Sequence, residues 1–259
     1  MLCVHPVRAF SDNYIWVLEN PGMQEAVVVD PGDPDPVRSL LGARGLALSA
    51  ILATHHHPDH VGGISALAAP DVPVFGPARE RIPNKTRDVS EGMRFDIPGW
   101  GLDIEVLEIP GHTLGHVAFH IPAVNALFCG DTLFAAGCGR LFEGTAEQMH
   151  HSLQRLAALS DETQVYCGHE YTLTNLAFAL TVEPDNADLR ARREVAAIKI
   201  SKGQPTLPSR IDLERRTNPF LRTATPAVRL AAERHAGRAL TDDVAVFASL
   251  RHWKDHFRA

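Results

Sequence analysis

The chain has 259 residues, of which 45% are apolar and 22% charged, with a net charge of -6. This ordinary globular composition excludes extended disorder and an extended basic nucleic-acid surface, and the length suits one large α/β domain or a medium domain with a smaller one attached. No apolar run approaches the roughly 18 residues of a membrane span, and the start, MLCVHPVRAF, lacks the basic and apolar regions of a signal peptide, so a cytoplasmic protein with no membrane association is expected.

Along the first two thirds, short apolar runs end in polar or glycine-rich turns. Val27–Val29 leads into Asp30-Pro31-Gly32-Asp33, and Ala50–Ala53 leads into THHHPDH. Leu102–Ile109 alternates and breaks at Pro110-Gly111-His112. Ala126–Cys129 ends at Gly130-Asp131, and Gln164–Cys167 ends at Gly168-His169. Alternation and β-branched content predict strands, with Gly and Pro as punctuation. The last third changes character. ADLRARREVAAIK (187–199) and PAVRLAAERH (226–235) have helical spacing, and Thr241-Asp242-Asp243 caps a final helix running towards Phe257. QPTLPSRIDLERRTNPFLR between them reads as an irregular connection. A boundary near Thr172–Thr174 separates residues 1–172 from a helical region, 173–259.

The 14 histidines are the unusual component. In HHHPDH a strand-to-turn transition can aim His55 and His57 at one point and Asp59 and His60 at a neighbouring one. LFCGDTLF and VYCGHEYT share one design, an apolar strand followed by Cys, Gly and a potential ligand. With His112, this puts His112, Asp131 and His169 at further strand ends. Neutral imidazole and carboxylate suit zinc, iron(II) or manganese. His56 faces away from its neighbours, and His116 is placed to support the site by hydrogen bonding. The four cysteines, at 3, 129, 138 and 167, form no CxxC pair and fit a reduced compartment. None stands among the candidate ligands, which argues against a closed structural zinc site.

HxHxDH followed by a single His, an Asp and a final His resembles the metallo-β-lactamase superfamily. The resemblance implies an α/β fold, an αββα sandwich with metals at one edge, with 1–172 as its catalytic domain. It also implies one ion held by His55, His57 and His112, a second held by Asp59, His60 and His169, and Asp131 bridging both. SDNYIWVLEN, GDTLFAAGCGRLFEGTAEQM, CGHEYTLTNLAFA, NPFLR and RHWKDHF are similar to the glyoxalase II (hydroxyacylglutathione hydrolase) family, across essentially the whole chain. That family hydrolyses S-D-lactoylglutathione to D-lactate and glutathione, the second step of methylglyoxal detoxification. By this resemblance two divalent ions per chain are expected, with zinc first and iron or manganese as alternatives. The small-molecule partner is a glutathione thioester, and a monomer is expected.

Substrate contacts carried over by resemblance are Arg140, Tyr171, Arg251 and Lys254. The last two are three apart and share a helix face, and basic groups suit the carboxylates of glutathione. Arg140 and Phe142 stand where some relatives have Lys and Tyr, so a hydroxyl is lost at 142. A metal-held hydroxide, available at neutral pH because a metal lowers the pKa of water to about 7, is expected to attack the thioester carbonyl, with Asp59 and Asp131 orienting it. Cys129 and Cys167 read as strand packing rather than nucleophiles. The alternative is a glutathione persulfide dioxygenase with a single iron, against which NPFLR and the helical C-terminal region argue. A non-enzymatic module would be easier to credit had a ligand been missing.

Overall fold

The computed structural model describes residues 2–258, and the chain divides into two compact units. The first contains the described residues up to Ile109 together with Leu114–Gly130 and Tyr166–His169. The second contains Pro110–Thr113, Asp131–Val165 and the chain from Glu170 onward.

In the first unit, β1 (Cys3–Ala9) pairs antiparallel with β2 (Asn13–Asn20), and β2 with β3 (Glu25–Val29). Helix α1 (Pro34–Arg44) returns the chain to β4 (Ala47–Leu52), which lies parallel to β3. Its ends carry clear signals: Asp33 accepts from the Asp35 amide, Pro34 opens the first turn, and Gly45 closes it at φ 64°. The short turns α2 (Pro58–Val61) and α3 (Ile64–Leu67) precede β5 (Val74–Pro77) and β6 (Arg87–Val89), which extend the sheet in parallel. β7 (Arg94–Phe95), β8 (Ile104–Glu108), β9 (Val117–Ile121) and β10 (Ala126–Gly130) are the antiparallel strands of a second sheet.

Alternation along β2 sorts its side chains between two layers. Ile15 and Val17 pack with Val37 and Leu41 of α1. Trp16 turns the other way, edge-on to Tyr166 at 4.9 Å, and donates its indole N–H to the Cys167 carbonyl. Tyr166 stacks on Phe128, and Phe75 of β5 stacks on Phe95 of β7 at 4.4 Å. The two sheets therefore face each other across an aromatic core, in which a fully buried ring such as Phe128 contributes about 1.5–3 kcal/mol.

In the second unit, the segment Asp131–Val165 opens with a tight hairpin of β11 (Leu133–Phe134) and β12 (Gly137–Cys138). Helix α4 (Ala146–Ala157) follows from a Thr145–Gln148 capping box. β13 (Gln164–Cys167), whose Tyr166 and Cys167 belong to the first unit, precedes α5 (Thr172–Val182) and α6 (Ala187–Ser201). β14 (Ser209–Arg210), α7 (Ile211–Thr217), α8 (Pro226–Ala236) and α9 (Asp243–His256) complete it. Phe178 and Phe220 stack at 5.9 Å, with Trp253 and Phe257 edge-on to Phe178.

The strands and the three C-terminal helices lie close to their expected places. Residues 204–222 differ from the irregular connection expected. They contain β14 and α7, and α7 is short because Pro208 and Pro219 flank it. Its stability comes from tertiary contact: fully buried Glu214 pairs with Arg192 at 2.5 Å and accepts from Ser209 and the Ala136 amide.

Candidate metal centre

In the first unit, the parallel strands β3 and β4 end side by side, and their ends carry Asp30 and the histidine cluster. Asp30, at φ 51°, accepts from the Thr54 amide through Oδ1 (2.7 Å) and from the Thr54 hydroxyl through Oδ2 (2.7 Å). The same Oδ2 accepts from His60 Nδ1 at 3.0 Å. His60 therefore carries its proton on Nδ1 and presents Nε2 as a lone-pair donor. Because the Thr54 hydroxyl donates to Asp30, its oxygen accepts from His55 Nδ1 at 3.0 Å, which in the neutral ring gives Nε2 the lone pair.

The other ligand candidates are oriented in the same manner. His169 Nδ1 donates to Asp12 Oδ1 at 2.8 Å, and Asn13 donates to Asp59 Oδ2 at 3.0 Å. His55 Nε2 stands 3.1 Å from His57 Nδ1, a spacing at which the two nitrogens share either a proton or a cation. Asp59, His60 and His169 each offer a donor atom within 4.8 Å of the other two. Asp30, His55 and His60 satisfy the same criterion, but both Asp30 oxygens already accept hydrogen bonds, so it acts as an orienting group. His56 points elsewhere, to Glu80 Oε2 at 3.0 Å. His116 stacks on His55 at 4.5 Å and donates through Nδ1 to the Val117 carbonyl. At Gly130 (φ +45°) a Cβ would lie 2.3 Å from Thr54 Oγ1 and 2.9 Å from the His116 ring, so only glycine fits.

In the second unit, His112 Nδ1 donates to the Arg140 carbonyl at 2.8 Å, turning Nε2 to within 3.5 Å of Asp131 Oδ2. Both side chains are buried. Phe142 is exposed and edge-on to the His112 ring at 5.1 Å. The Arg140 side chain is largely exposed, 4.0 Å from Asp255. Tyr171 is 37% exposed and edge-on to Phe134. Lys254 donates to the Thr174 carbonyl at 3.3 Å and lies over Phe178 and Phe257. Burial, helped by Arg251, brings its pKa down to about 8.

Arg251 is placed differently from a surface cation. It is 5% exposed, its Nη1 donates to the Cys138 carbonyl at 2.9 Å, and its Nη2 pairs with Asp255. Burial pushes the Cys138 thiol up to about 11, so it is not a nucleophile at neutral pH. Cys129 and Cys167 are buried within their strands.

The orienting residues Asp30, Asp12, Asn13 and Thr54 were not singled out from the sequence. Asp12 and Asn13 lie within SDNY, but their partners are 157 and 46 positions away. The donor set fits divalent metal ions: carboxylates and neutral imidazoles, the rings of His55, His60, His112 and His169 each tethered through Nδ1 so that Nε2 is available.

Comparison with known proteins gives two family matches that together cover most of the chain. Residues 9–169 match the metallo-beta-lactamase superfamily, and residues 170–257 match the hydroxyacylglutathione hydrolase C-terminus. The hydroxyacylglutathione hydrolase of Nitrosomonas europaea is 52% identical over 259 residues, covering 100% of this chain and 97% of that protein. That of Alkalilimnicola ehrlichii is 56% identical over 250 residues, covering 96% and 97%. Among solved structures, ETHE1 from Myxococcus xanthus superposes with a TM-score of 0.66 at 23% identity, covering 99% of this chain and 90% of its own, a likeness of fold. TTHA1623, crystallised in a di-iron-bound form, gives 0.60 at 30% identity, covering 84% of this chain and 100% of its own.

Proposed function

The chain belongs to the hydroxyacylglutathione hydrolases, metal-dependent thioester hydrolases on the metallo-β-lactamase fold, and we propose that it cleaves S-D-lactoylglutathione to D-lactate and glutathione using two divalent ions. The proposed ligands are His55, His57 and His112 for one ion and Asp59, His60 and His169 for the other, with Asp131 shared. Zinc is the first choice, with iron or manganese alternatives that this donor set also accepts. The observation that carries this reading is the tethering of four rings through Nδ1 to Thr54, Asp30, Arg140 and Asp12. Structural histidines have no need of a uniform tautomer, whereas ligands do.

When bound, the ions supply an acidified water as nucleophile and polarise the thioester carbonyl. The protein's own groups do the rest. Asp59, held by Asn13, and Asp131 orient the attacking water and take up its proton. Arg140, Tyr171, Arg251 and Lys254 recognise the carboxylates and amides of the glutathione moiety. Protonated Lys254 loses little by its partial burial once a substrate carboxylate lies beside it. The thiolate of glutathione leaves readily, so no protein nucleophile is required.

Residues 1–172 serve as the catalytic domain and 173–259 as the substrate-binding helical domain. No helix among the described residues is long and apolar enough to cross a membrane. A cytoplasmic monomer without a nucleic-acid partner completes the proposal. The single-iron dioxygenase alternative gains no support, because residues 170–257 match the hydrolase C-terminus.

The test is hydrolysis of S-D-lactoylglutathione by the purified protein before and after chelation. Loss on chelation and recovery on adding metal are expected. A fully metallated sample without hydrolysis overturns the assignment, and oxygen consumption with glutathione persulfide would point to the dioxygenase.

A further inference from the structure

The segment Asp131–Arg140 carries one proposed ligand and, through the Arg140 carbonyl, orients another, His112. It has little regular structure to hold it, only a hairpin of two residues per strand. Yet its backbone polar groups are engaged by four side chains borne on or beside three helices. Asn175 of α5 donates to the Ala135 carbonyl at 3.1 Å. Glu214 of α7 accepts from the Ala136 amide at 2.9 Å, at a residue held at φ 55°. Asn218, just past α7, donates to both the Phe134 and Gly137 carbonyls, at 3.2 and 2.9 Å. Arg251 of α9 donates to the Cys138 carbonyl at 2.9 Å and approaches that of Gly139 at 3.5 Å.

The clamped end returns directly onto the proposed ligands. The Gly139 amide donates to the Thr132 carbonyl, and a Cβ on Gly139 would lie 1.9 Å from the Asp131 carbonyl oxygen and 3.3 Å from His112 Nδ1. The Phe142 amide donates to the His112 carbonyl. A shift of this strap would therefore move the backbone behind Asp131 and the acceptor that fixes the His112 tautomer together.

We propose that Asn218 and Arg251 are positioning residues, holding the 133–140 strap so that Asp131 and His112 meet the metal in ligating geometry. This rests on the proposed ligand set and deepens it. It gives NPFLR and RHWKDHF a physical role, and it adds to the proposed substrate contact of Arg251, buried and bonded to the Cys138 carbonyl, a second role in supporting the site.

The experiment compares Asn218→Ala, Arg251→Met and Arg251→Lys with the parent. It measures Co(II) affinity of each apoprotein by competition with a chromophoric chelator, then kcat and KM after saturating metal, with circular dichroism as the check on folding. Loss of an outer group that orients a ligand lowers metal affinity about 10–100-fold, so Asn218→Ala and Arg251→Met should fall in that range with reduced kcat, Asn218→Ala with little change in KM. Arg251→Lys, which keeps one donor, should recover part of the affinity, and it decides the matter if Arg251→Met does not fold. Folded variants that bind Co(II) like the parent overturn the proposal, as does a raised KM in Arg251→Met with affinity and kcat intact, which would leave Arg251 a substrate contact alone. His112→Ala is the control for the ligand set. Should it bind Co(II) like the parent, the ligand reading fails, and the clamp is then judged by hydrogen exchange of the Gly139 and Phe142 amides in Asn218→Ala. Faster exchange supports it and unchanged exchange overturns it.

Discussion

Replacing Asp30 by Asn changes one atom type at a fully enclosed junction, and its consequence can be worked out from three hydrogen bonds. Asp30 accepts from the Thr54 amide on Oδ1 and from the Thr54 hydroxyl and His60 Nδ1 on Oδ2. An Asn that keeps its oxygen on the Thr54 amide turns its NH2 towards Thr54 Oγ1 and His60 Nδ1. The hydroxyl can rotate to accept, but His60 must then accept on Nδ1 and carry its proton on Nε2, where it can no longer bind a metal. The flipped amide instead sets NH2 against the Thr54 N–H, leaving a buried donor unsatisfied at a cost of about 1–3 kcal/mol. Metal affinity at the His60 site should therefore fall about 10–100-fold, while the apoprotein keeps its fold. Competition titration of the apoprotein with zinc gives the affinity, and nitrogen chemical shifts of the His60 ring give the tautomer. An Asp30→Asn protein that binds zinc as the parent does, with Nδ1 still protonated, refutes the reasoning.

Lys254 has its pKa lowered to about 8, chiefly by burial, so it is charged below that pH and neutral above it. KM for the glutathione thioester should rise above about pH 8, and Lys254→Met should flatten that profile. The stability effect has the opposite sense: the unfolded chain holds this proton more tightly between about 8 and the ordinary lysine value of 10.5, so Lys254 makes the folded state gain stability as pH rises through that window, a change that Lys254→Met should remove from the denaturation curves. Arg140→Ala should raise KM with stability changed by less than about 0.5 kcal/mol, since the side chain is exposed and its ion pair with Asp255 is long; equal KM would remove Arg140 from the binding set. Gly130→Ala forces a Cβ to 2.3 Å from Thr54 Oγ1 at a positive φ and should yield little soluble protein, with a lowered thermal midpoint in what remains.

Local signals were enough to locate much of this fold. Val27–Val29 and Gln164–Cys167 read as strands because apolar runs met glycine or proline at their ends, and the last helix was marked by Asp242, which caps it by accepting from the Ala245 amide. The helix α7 was hidden because its flanking prolines read as breakers, and what stabilises it is Glu214, whose partners Arg192 and Ala136 lie far away in the chain. The candidate ligands were legible since carboxylates and imidazoles at strand ends carry their chemistry in their identity. Asp30, Asp12 and Asn13 were not, because an orienting role exists only once the fold brings the partner ring within reach. Arg251 shows the same limit from the other side. Spacing puts it on one helix face with Lys254, but only packing decides that its guanidinium is buried against the Cys138 carbonyl.

The most direct test of the binuclear hydrolase is titration of metal-free protein with zinc while the rate of S-D-lactoylglutathione hydrolysis is followed. The account predicts a rate that climbs with added zinc and breaks at about two ions per chain, with His112→Ala and His60→Ala each failing to reach it. A break at one ion per chain with full activity, or hydrolysis undiminished in the metal-free protein, would contradict it.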